Sequence, residues 1–433
     1  MATSAREAGS LPFPDRPPGT PNDEMPFDHL VVVMMENHSF DNLLGALARS
    51  RADVDGLSFD AEGNATNTNP GTADTPAVVT SFPFPNTAQS GRVVQTWRAT
   101  HRQINGGAMD GFVRSVNNTQ PMGYYRPEIL PFAYSLAGTF TLANRWFCSV
   151  PGPTYPNRRF LLAGTAFGGT VTKDSAALES PPGPTICDLM SDHGVSWADY
   201  FTDIPGTLII ASILRKHPRR HHRLRRFFDD CAAGTLPAVS FVDPGTGVLA
   251  SLVSTASSRL PLLRSELDAV WARLERNEPA GTEESPQDMY YGEAWAHRVI
   301  EAVLRSPAWP RTLLIYTYDE HGGYYDHVPP AAAIAPDDIP PQLQPNDPPG
   351  GYDIYGPRVP AVVASPYSKP GGVTDVIHDH TSVLATIEAK WNLPALTRRD
   401  ANAATVMDFL DTSSAPLLDP PEIEGPSPTG LQG

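Results

Sequence analysis

The residues of this sequence that could carry chemistry stand where apolar runs end. Glu36 and Asn37 follow one such run. Asp319 and Glu320 follow another. Neighbouring buried carboxylates repel one another when both are ionised, and a divalent cation removes this conflict because hard cations bind carboxylate and amide oxygens. The pattern therefore predicts a single-metal site with four oxygen donors from two strand ends.

A hydroxyl group suited to nucleophilic attack lies in the segment VPGPTYPNRRFLLAGT. Its prolines and first glycine predict a stiff turn that presents Thr154, and the residues after the turn are typical of a helix start. Helix amides and a nearby cation both lower the pKa of a hydroxyl group. Thr154 is therefore a candidate nucleophile toward phosphorus.

His38 and Ser39 also have catalytic side chains, and with Asp41 they match the composition of a Ser-His-Asp triad. Adjacent residues rarely face one another, however, and the sequence contains no Gly-x-Ser-x-Gly turn. We therefore expect Ser39 to cap the helix that follows it, and His38 to have a supporting role.

The elements that must position these residues alternate between strands and helices. Buried parallel strands are predicted from apolar runs at 29–35, 312–318 and 359–365. Two further strands are predicted at 194–201 and 237–243. Helical patterns occur at 39–49, 292–305 and 381–391. This alternation predicts an α/β fold with a doubly wound, mostly parallel sheet flanked by helices, whose ligands bind at the carboxyl ends of the strands.

The 433 residues show no composition break, which favours one catalytic domain with long loop insertions. We assign 1–26 to a proline-rich N-terminal arm, 27–411 to the catalytic domain and 412–433 to a disordered tail. Insertions are expected near 50–100 and 329–351, which are rich in residues that favour loops.

The composition excludes several functional classes. A net charge of −16 argues against nucleic acid as a partner, and no apolar run is long enough to span a membrane. The N-terminus has no apolar signal core, so cytoplasmic residence is the default expectation, with secretion by another route left open. Cys148, Cys187 and Cys231 are expected to be small buried hydrophobic residues, with a single disulfide as the alternative.

The segment 214–226, LRKHPRRHHRLRR, is strongly basic within this acidic chain. One interpretation is a solvated helix face. The other is an electrostatic contact between 214–228 and anionic lipid head groups or another polyanion, with Phe227 and Phe228 at the border of the segment.

Five blocks of the sequence resemble, in order, the signature blocks of the phosphoesterase family. They are FDHLVVVMMENHSFDNLLG, GPTYPNRRFLLAGT, TYDEHGGYYDHVPP, GPRVPAVVASPYSKPGG and HDHTSVLATIEAKWNLPALTRRD. That family contains bacterial and plant non-specific phospholipases C and an acid phosphatase branch, and it has the alkaline phosphatase-like fold. Five ordered blocks are a far more specific signal than any one of them.

The resemblance implies roles for individual residues. Metal ligands are implied at Glu36, Asn37, Asp319 and Glu320. Thr154 matches the nucleophile, and His101, ahead of an Asn-Gly-Gly turn, matches a site histidine that hydrogen-bonds a phosphoryl oxygen or protonates the leaving group. The implied reaction is metal-dependent hydrolysis through a phosphothreonine intermediate. Supporting roles are open to Asn157, Arg158, His321, Asp326, His327 and His380.

Among these supporting residues, we expect Asp326 to orient the turn at Gly322 and Gly323. His327 and His380 are expected to fix loops through hydrogen bonds. One position departs from the family, since members commonly have a His-Pro pair where this chain has Ser285 and Pro286. His321, His327 or His380 could replace the missing histidine.

The function expected from the resemblance is phospholipase C-type cleavage of glycerophospholipids. The alternatives are an acid phosphatase that acts on soluble phosphomonoesters, and a catalytically degenerate protein that binds phosphate-bearing ligands, which only Ser285 favours. The all-oxygen ligand set favours one Ca²⁺ or Mg²⁺ ion over Zn²⁺.

Overall fold

The computed structural model describes residues 5–89, 93–172, 181–245 and 281–428. Twelve strands are present in these ranges: β1 (His29–Met35), β2 (Thr68–Pro70), β3 (Val78–Thr80), β4 (Phe82–Pro83), β5 (Gly123–Tyr124), β6 (Thr141–Ala143), β7 (Trp197–Phe201), β8 (His221–Arg223), β9 (Val239–Asp243), β10 (Thr312–Tyr318), β11 (Ala361–Ala364) and β12 (Val373–Thr374). Eight of them form one central sheet in the order β12-β6-β11-β10-β1-β9-β7-β8.

Eleven α-helices are described in the same ranges: α1 (Phe40–Leu44), α2 (Trp97–Ile104), α3 (Phe112–Val116), α4 (Pro131–Thr139), α5 (Thr154–Ala163), α6 (Ile186–Asp192), α7 (Ala211–Lys216), α8 (Leu224–Ala233), α9 (Met289–Leu304), α10 (Thr381–Trp391) and α11 (Arg398–Ala401). None of the described helices is long and apolar enough to cross a bilayer.

The apolar runs at 29–35 and 312–318 form the neighbouring strands β1 and β10 at the centre of the sheet. β1 pairs in parallel with β10 on one side and with β9 on the other. β10 is buried along its whole length, and so is β1 after its first residue, as expected for strands covered on both faces. The doubly wound, mostly parallel α/β fold predicted from the sequence is confirmed.

The direction of one predicted strand was wrong. The run at 359–365 forms β11, which is antiparallel to both β10 and β6. β6 consequently runs in the same direction as β10, and β12 pairs with β6 in parallel. The carboxyl ends of all the other strands of the central sheet therefore lie at one edge, which we call the catalytic edge.

The prediction of a disordered tail was also wrong for residues 412–428. Ile423 is only 4% exposed and belongs to the hydrophobic core, while the Leu417 carbonyl accepts a 2.9 Å hydrogen bond from the Trp309 indole. Apolar burial and backbone hydrogen bonds thus hold this segment on the domain. Residues 429–433 lie outside the described residues.

The predicted N-terminal arm also packs on the domain. The Asn22 amide donates to the Lys390 carbonyl at 2.7 Å, and Met25 is buried. Residues 1–4 lie outside the described residues. The three cysteines are free and buried, as expected for small hydrophobic residues.

Candidate active site

The two predicted ligand pairs meet at the catalytic edge because of the strand register. Met35 lies opposite Tyr318, so the residues that follow them leave the sheet at the same level. The Asn37 amide donates to Asp319 Oδ1 at 3.2 Å. Gly322 has φ +65°, and a Cβ there would lie 2.0 Å from the Asn37 carbonyl oxygen, so the two strand ends approach more closely than any side chain allows.

The carboxylates at these strand ends are removed from water. Glu36 is 4% exposed, and Asp319 and Glu320 are fully buried. Burial raises the pKa of all three, most strongly for Glu36 and Glu320, and the neighbouring Asp319 raises these two further. Such a group of acids is stable in its ionised form only with a positive charge among them.

Arg158 of α5 supplies one such charge. Its guanidinium donates to Asp319 Oδ2 at 3.1 Å, to Asp243 Oδ1 at 2.7 Å and to Glu36 Oε1 at 3.4 Å. A fourth bond reaches the Met34 carbonyl at 3.2 Å. Burial opposes the charge of Arg158, but the three carboxylates outweigh it and raise the pKa of Arg158 above its ordinary value.

Two buried oxygens of the predicted ligands have no hydrogen-bond partner, namely Asn37 Oδ1 and Glu320 Oε1. The second oxygen of Glu320 accepts a 2.8 Å bond from the Gly322 amide. Glu36 Oε2 accepts a long bond of 3.4 Å from the Thr282 hydroxyl. Buried oxygens without donors, next to ionisable carboxyl groups, have the chemistry of ligands for a hard divalent cation. The structure does not bring one oxygen each of Glu36, Asp319 and Glu320 within 4.8 Å of one another, so the four predicted ligands are not gathered around a single point.

A second acidic group includes Asp41 of α1. Among the described residues, only Asp41, Asp326 and His327 place three acidic or imidazole ligand atoms within 4.8 Å of one another. Arg358 already binds Asp326 through two bonds of 2.9 and 3.1 Å, and it binds Asp41 at 3.2 Å. These carboxylate oxygens are therefore neutralised by protein groups.

His327 completes the neutralisation of this group. Its Nδ1 lies 2.7 Å from Asp41 and its Nε2 3.1 Å from Asp55. Burial alone would lower the pKa of His327, but Asp41 and Asp326 outweigh it and raise that pKa to about 9. In this state the imidazole donates to Asp41 and Asp55, and together with Arg358 it balances the charge of the carboxylates. The prediction that Asp326 orients the Gly-Gly turn was wrong, because its carboxylate holds Arg358.

Thr154 is the first residue of α5, directly after the predicted turn. Asn157 fixes this turn, since its amide nitrogen donates to the carbonyls of Gly152 and Pro153 at 2.9 and 3.2 Å. Thr154 and Arg158 are four residues apart on one helix and thus share a face. Because Arg158 binds the carboxylates, the half-buried Thr154 lies on the side of α5 that faces the catalytic edge.

His101 lies on α2, whose Gln103 bonds to His321 beside the strand ends. Its Nδ1–H donates to the Trp97 carbonyl at 2.8 Å, and its ring packs on the Trp97 indole at a centroid distance of 4.4 Å. Gly350 packs against the other ring nitrogen. Burial lowers the pKa of His101, so the ring is neutral near pH 7 and Nε2 carries the lone pair.

Two further histidines lie against the strand ends. His380 donates from Nε2 to the Asp319 carbonyl at 2.6 Å, while its buried Nδ1 has no partner. His321 bonds to Gln103 of α2 at 2.8 Å. Burial lowers the pKa of His380 to about 4 and that of His321 to about 3, so both are neutral.

His38 and Ser39 have structural contacts. His38 bonds to the Asn42 side chain at 2.7 Å and to the Glu283 carbonyl at 3.0 Å. The hydroxyl of Ser39 accepts the Asn42 amide and caps α1, as predicted.

Two acidic residues of this region were missed from the sequence. Asp243 is the last residue of β9, which pairs in parallel with β1. Its place at the end of a strand of the parallel sheet is the feature of the sequence that could have identified it. Burial raises the pKa of Glu284, Asp319 raises it further, and the side chains of Glu36 and Asn37 oppose the shift, so Glu284 lies beside the predicted ligands. Nothing in the local pattern indicates this. Its neighbour Ser285, where the resemblance predicts a histidine, lies beside Tyr324 and partly offsets the rise that burial causes in the pKa of Tyr324.

The basic segment is not a single helix face. It contains the end of α7, β8 and the start of α8, and its exposed cations are Arg215, Lys216, Arg219, Arg223, Arg225 and Arg226. Phe227 is fully buried in the core and unable to contact a membrane. Lys216 and Arg226 pair with Asp188 and Asp230. Because β8 is parallel to β7, Arg223 lies at the catalytic edge.

Comparisons with known proteins bear on this site. A family model described as the Phosphoesterase family matches residues 27–394. Non-specific phospholipase C1 of Arabidopsis thaliana is 30% identical over 427 residues, covering 92% of this chain and 73% of the relative. Phospholipase C B of Mycobacterium tuberculosis (strain ATCC 25618 / H37Rv) is 28% identical over 447 residues, covering 92% and 81%.

Solved structures are more distant. A protein in the alkaline phosphatase superfamily from Vibrio parahaemolyticus matches with a TM-score of 0.35 at 11% identity, covering 84% of this chain and 80% of that one. The phosphonate monoester hydrolase of Agrobacterium radiobacter matches with a TM-score of 0.37 at 12% identity, covering 89% and 78%. Since a likeness of this degree carries no argument, the fold assignment rests on the sheet topology.

Proposed function

Because the chain belongs to the phosphoesterase family and is a phosphoric ester hydrolase, we propose that it cleaves glycerophospholipids in the manner of a phospholipase C. The observation that carries this proposal is the similarity, over more than nine tenths of the chain, to proteins named phospholipase C. The products would be diacylglycerol and a phosphorylated head group.

The proposed nucleophile is Thr154. Its oxygen bonds to phosphorus as the bond from phosphorus to the glycerol oxygen breaks, and water then hydrolyses the phosphothreonine ester. The fixed turn and the shared face of Thr154 and Arg158 support this role. A divalent cation held by Glu36, Asn37, Asp319 and Glu320 would supply Lewis-acid stabilisation of the negative charge on the phosphoryl oxygens.

His101 is suited to accept a proton in this reaction. Its Nδ1–H is engaged by the Trp97 carbonyl, so Nε2 is the basic nitrogen of the neutral ring. An acid role toward the leaving glycerol oxygen requires that Nε2 first receive a proton, for example from the Thr154 hydroxyl. We propose this order of proton transfer.

The test of the proposed function compares two substrates. Purified protein should release diacylglycerol from phosphatidylcholine faster than it releases phosphate from an aryl phosphate. The reverse preference would favour the acid phosphatase alternative. Absence of both activities in metal-loaded protein would favour a protein that binds phosphate-bearing ligands without turnover.

Thr154 can be tested with a matched pair of variants. Thr154→Ala should lower kcat by about 10⁴-fold or more, because it removes the nucleophilic oxygen, whereas Thr154→Ser keeps a hydroxyl and should retain part of the activity. Acid quenching with head-group-labelled lipid should trap label on the wild type and not on Thr154→Ala. Equal labelling of both proteins would remove Thr154 from the mechanism.

We also propose that the catalytic edge contacts anionic membrane surfaces through Arg223 and Arg225. Both are exposed, and the first lies at the end of β8 on the edge that carries the site. Charge reversal at these positions should weaken binding to vesicles that contain anionic lipid, and salt should weaken binding by the wild type. Arg305→Glu is the control. The N-terminal end of α9 follows Glu284, which lies beside the site, whereas Arg305 follows the opposite, C-terminal end of this helix. Equal effects of all three reversals would contradict the proposal.

A further inference from the structure

An apolar groove lies at the catalytic edge, beside the end strand β12. Its volume of about 670 Å³ is within the range of pockets that bind small molecules, and its apolar walls are formed by Ile334, Tyr355, Val376, Ile377, Ala403 and Ala404. Val376 and Ile377 closely follow β12 and are 41% and 45% exposed, and Ile334 is 40% exposed. Large apolar side chains gathered in water around one groove indicate a binding surface.

The polar side chains of the groove do not call for a polar ligand. They belong to Asp375, Asp379, Ser382 and Asn402, and all of them bond to protein groups. None of the described lining residues is a lysine or an arginine. A charged ligand therefore finds no free partner in the groove, whereas an apolar ligand would remove its exposed side chains from water.

The groove is continuous with the candidate active site through the segment 375–380. His380, at the end of this segment, donates to the Asp319 carbonyl at 2.6 Å. Ile377 is three residues before His380, so the Cα atoms of the two residues lie within about 11 Å of each other. The apolar surface thus begins close to the buried acids.

Arg399 fixes the groove to the segment that leads to Thr154. This buried side chain donates to the Ser149 carbonyl at 3.1 Å and to the Ile334 carbonyl, and its guanidinium lies 4.9 Å from the centre of the Tyr355 ring. Ser149 precedes Thr154 by five residues. The groove is therefore preformed, and its walls are anchored to the segment that carries the proposed nucleophile.

We propose that this groove binds an acyl chain of the glycerophospholipid whose phosphate ester is cleaved at the site. The inference rests on the proposed function, and it makes Val376 and Ile377 specificity-determining residues for long-chain lipids. In a glycerophospholipid the acyl chains begin about six covalent bonds, on the order of 7 Å, from phosphorus. The chain of one bound lipid therefore spans the distance from the acids to the groove.

The distribution of charge along the catalytic edge matches the same ligand. β12 and β8 are the two end strands of the central sheet, and β10 and β1, which lead to the acids, lie between them. The apolar groove lies beside β12, whereas the exposed cations Arg223 and Arg225 lie at the end of β8. Apolar contacts and cations on one face are the combination that binds lipid chains and anionic lipid head groups together.

The test measures how binding depends on the length of the chain. The probes are alkylphosphonocholines with six to twelve carbons, below their critical micelle concentrations, because a bond from carbon to phosphorus is not hydrolysed. Each methylene that is fully buried lowers the Kd by about fourfold. For the wild type, the calorimetric Kd should fall by at least about a hundredfold from six to twelve carbons, since an open groove covers each methylene only in part.

A double variant removes the apolar wall that follows β12. Val376→Ser with Ile377→Ser should reduce the dependence on chain length to less than about tenfold over the same series. Leu418→Ser is the matched control, because Leu418 is also exposed, at 53%. It follows Leu417, whose carbonyl bonds to Trp309 ahead of β10, and so lies at the opposite edge of the sheet. This control should keep the dependence of the wild type.

Two results would overturn the proposal. One is the same dependence on chain length in the wild type and in the double variant. The other is a wild-type dimer that the double variant abolishes in sedimentation experiments, because it would assign the groove to a second copy of this chain. If the double variant does not fold, Ile334→Ser replaces it in the titration with the same expected loss.

Failure of the proposed function gives a different result. A chain that binds long alkyl probes through the groove but releases no diacylglycerol from phosphatidylcholine refutes the reaction and leaves the groove intact. Release of diacylglycerol by a chain whose Kd does not depend on alkyl length refutes the groove alone.

Discussion

The histidine that lies between Asp41 and Asp55 should make the stability of the fold depend on pH. His327 has a pKa raised from 6.5 to about 9, because Asp41 and Asp326 together outweigh burial and the nearby Arg358. A folded-state pKa above the unfolded value means that the protonated ring stabilises the fold. This contribution is complete below pH 6.5 and disappears as the pH rises through about 9.

The size of this effect follows from the two pKa values. Their difference corresponds to about 3 kcal/mol of stabilisation at pH 5.5, of which almost nothing remains at pH 10. His327→Gln should therefore lower the free energy of unfolding by about this amount at pH 5.5, in addition to any loss that does not depend on pH. The glutamine side chain keeps part of the volume and the hydrogen bonding.

Urea unfolding followed by tryptophan fluorescence measures this difference between pH 5.5 and 10. A chelator should be present, so that metal binding does not contribute. His193→Gln serves as the control, since His193 lies outside the group formed by Asp41, Asp326 and Arg358. A loss of stability that is the same at every pH would refute the reasoning, because it would show that His327 is neutral in the folded protein.

Three other substitutions test separate features. Gly322→Ala should lower the free energy of unfolding by at least about 2 kcal/mol, because alanine is strained at positive φ and its Cβ would meet the Asn37 carbonyl. Urea unfolding measures this loss, and Gly183→Ala is the control because a Cβ at Gly183 meets nothing within 4 Å. Glu284→Gln should raise the Kd for the divalent ion by about tenfold, since it removes a negative charge beside Glu36, and an unchanged calorimetric Kd would exclude Glu284 from the centre. Ile423→Ala should cost about 2–5 kcal/mol in urea unfolding, and no loss would contradict the burial of the C-terminal segment.

The sequence was most informative where a strand is buried on both faces. The runs that form β1 and β10 were predicted with the observed bounds, because continuous apolar residues leave few other structures. The direction of β11 was not predictable in this way. It depends on the long connection that precedes the strand, and the composition of that connection does not specify where it leads.

The packing of the C-terminal segment on the domain is a second feature that could not be predicted from the sequence. Its prolines and polar residues are typical of disorder, yet Ile423 is buried and Leu417 accepts a bond from Trp309. A few apolar side chains are sufficient to hold such a segment when the domain presents a complementary surface. That surface is formed by distant parts of the chain and is invisible in a local pattern.

Within the candidate site, strand ends were predictable and their partners were not. Glu36 and Asp319 were identified because each follows an apolar run. The bonds of Arg158 to these acids depend on how α5 packs against the sheet, and the contact of Glu284 depends on the approach of a loop. Asp326 was misjudged for the same reason, because its partner Arg358 is 32 residues away.

The number of residues between Thr154 and Arg158 fixes the position of one side chain relative to the other, because both lie on α5. Four residues of helix span about 6 Å and slightly more than one turn, so the anchoring of Arg158 to the sheet also sets the height and the direction of Thr154. Loss or gain of one residue between them would turn the hydroxyl by about 100° away from the catalytic edge. The surrounding loops can therefore change in length during evolution, whereas the interval from Thr154 to Arg158 has to keep its length.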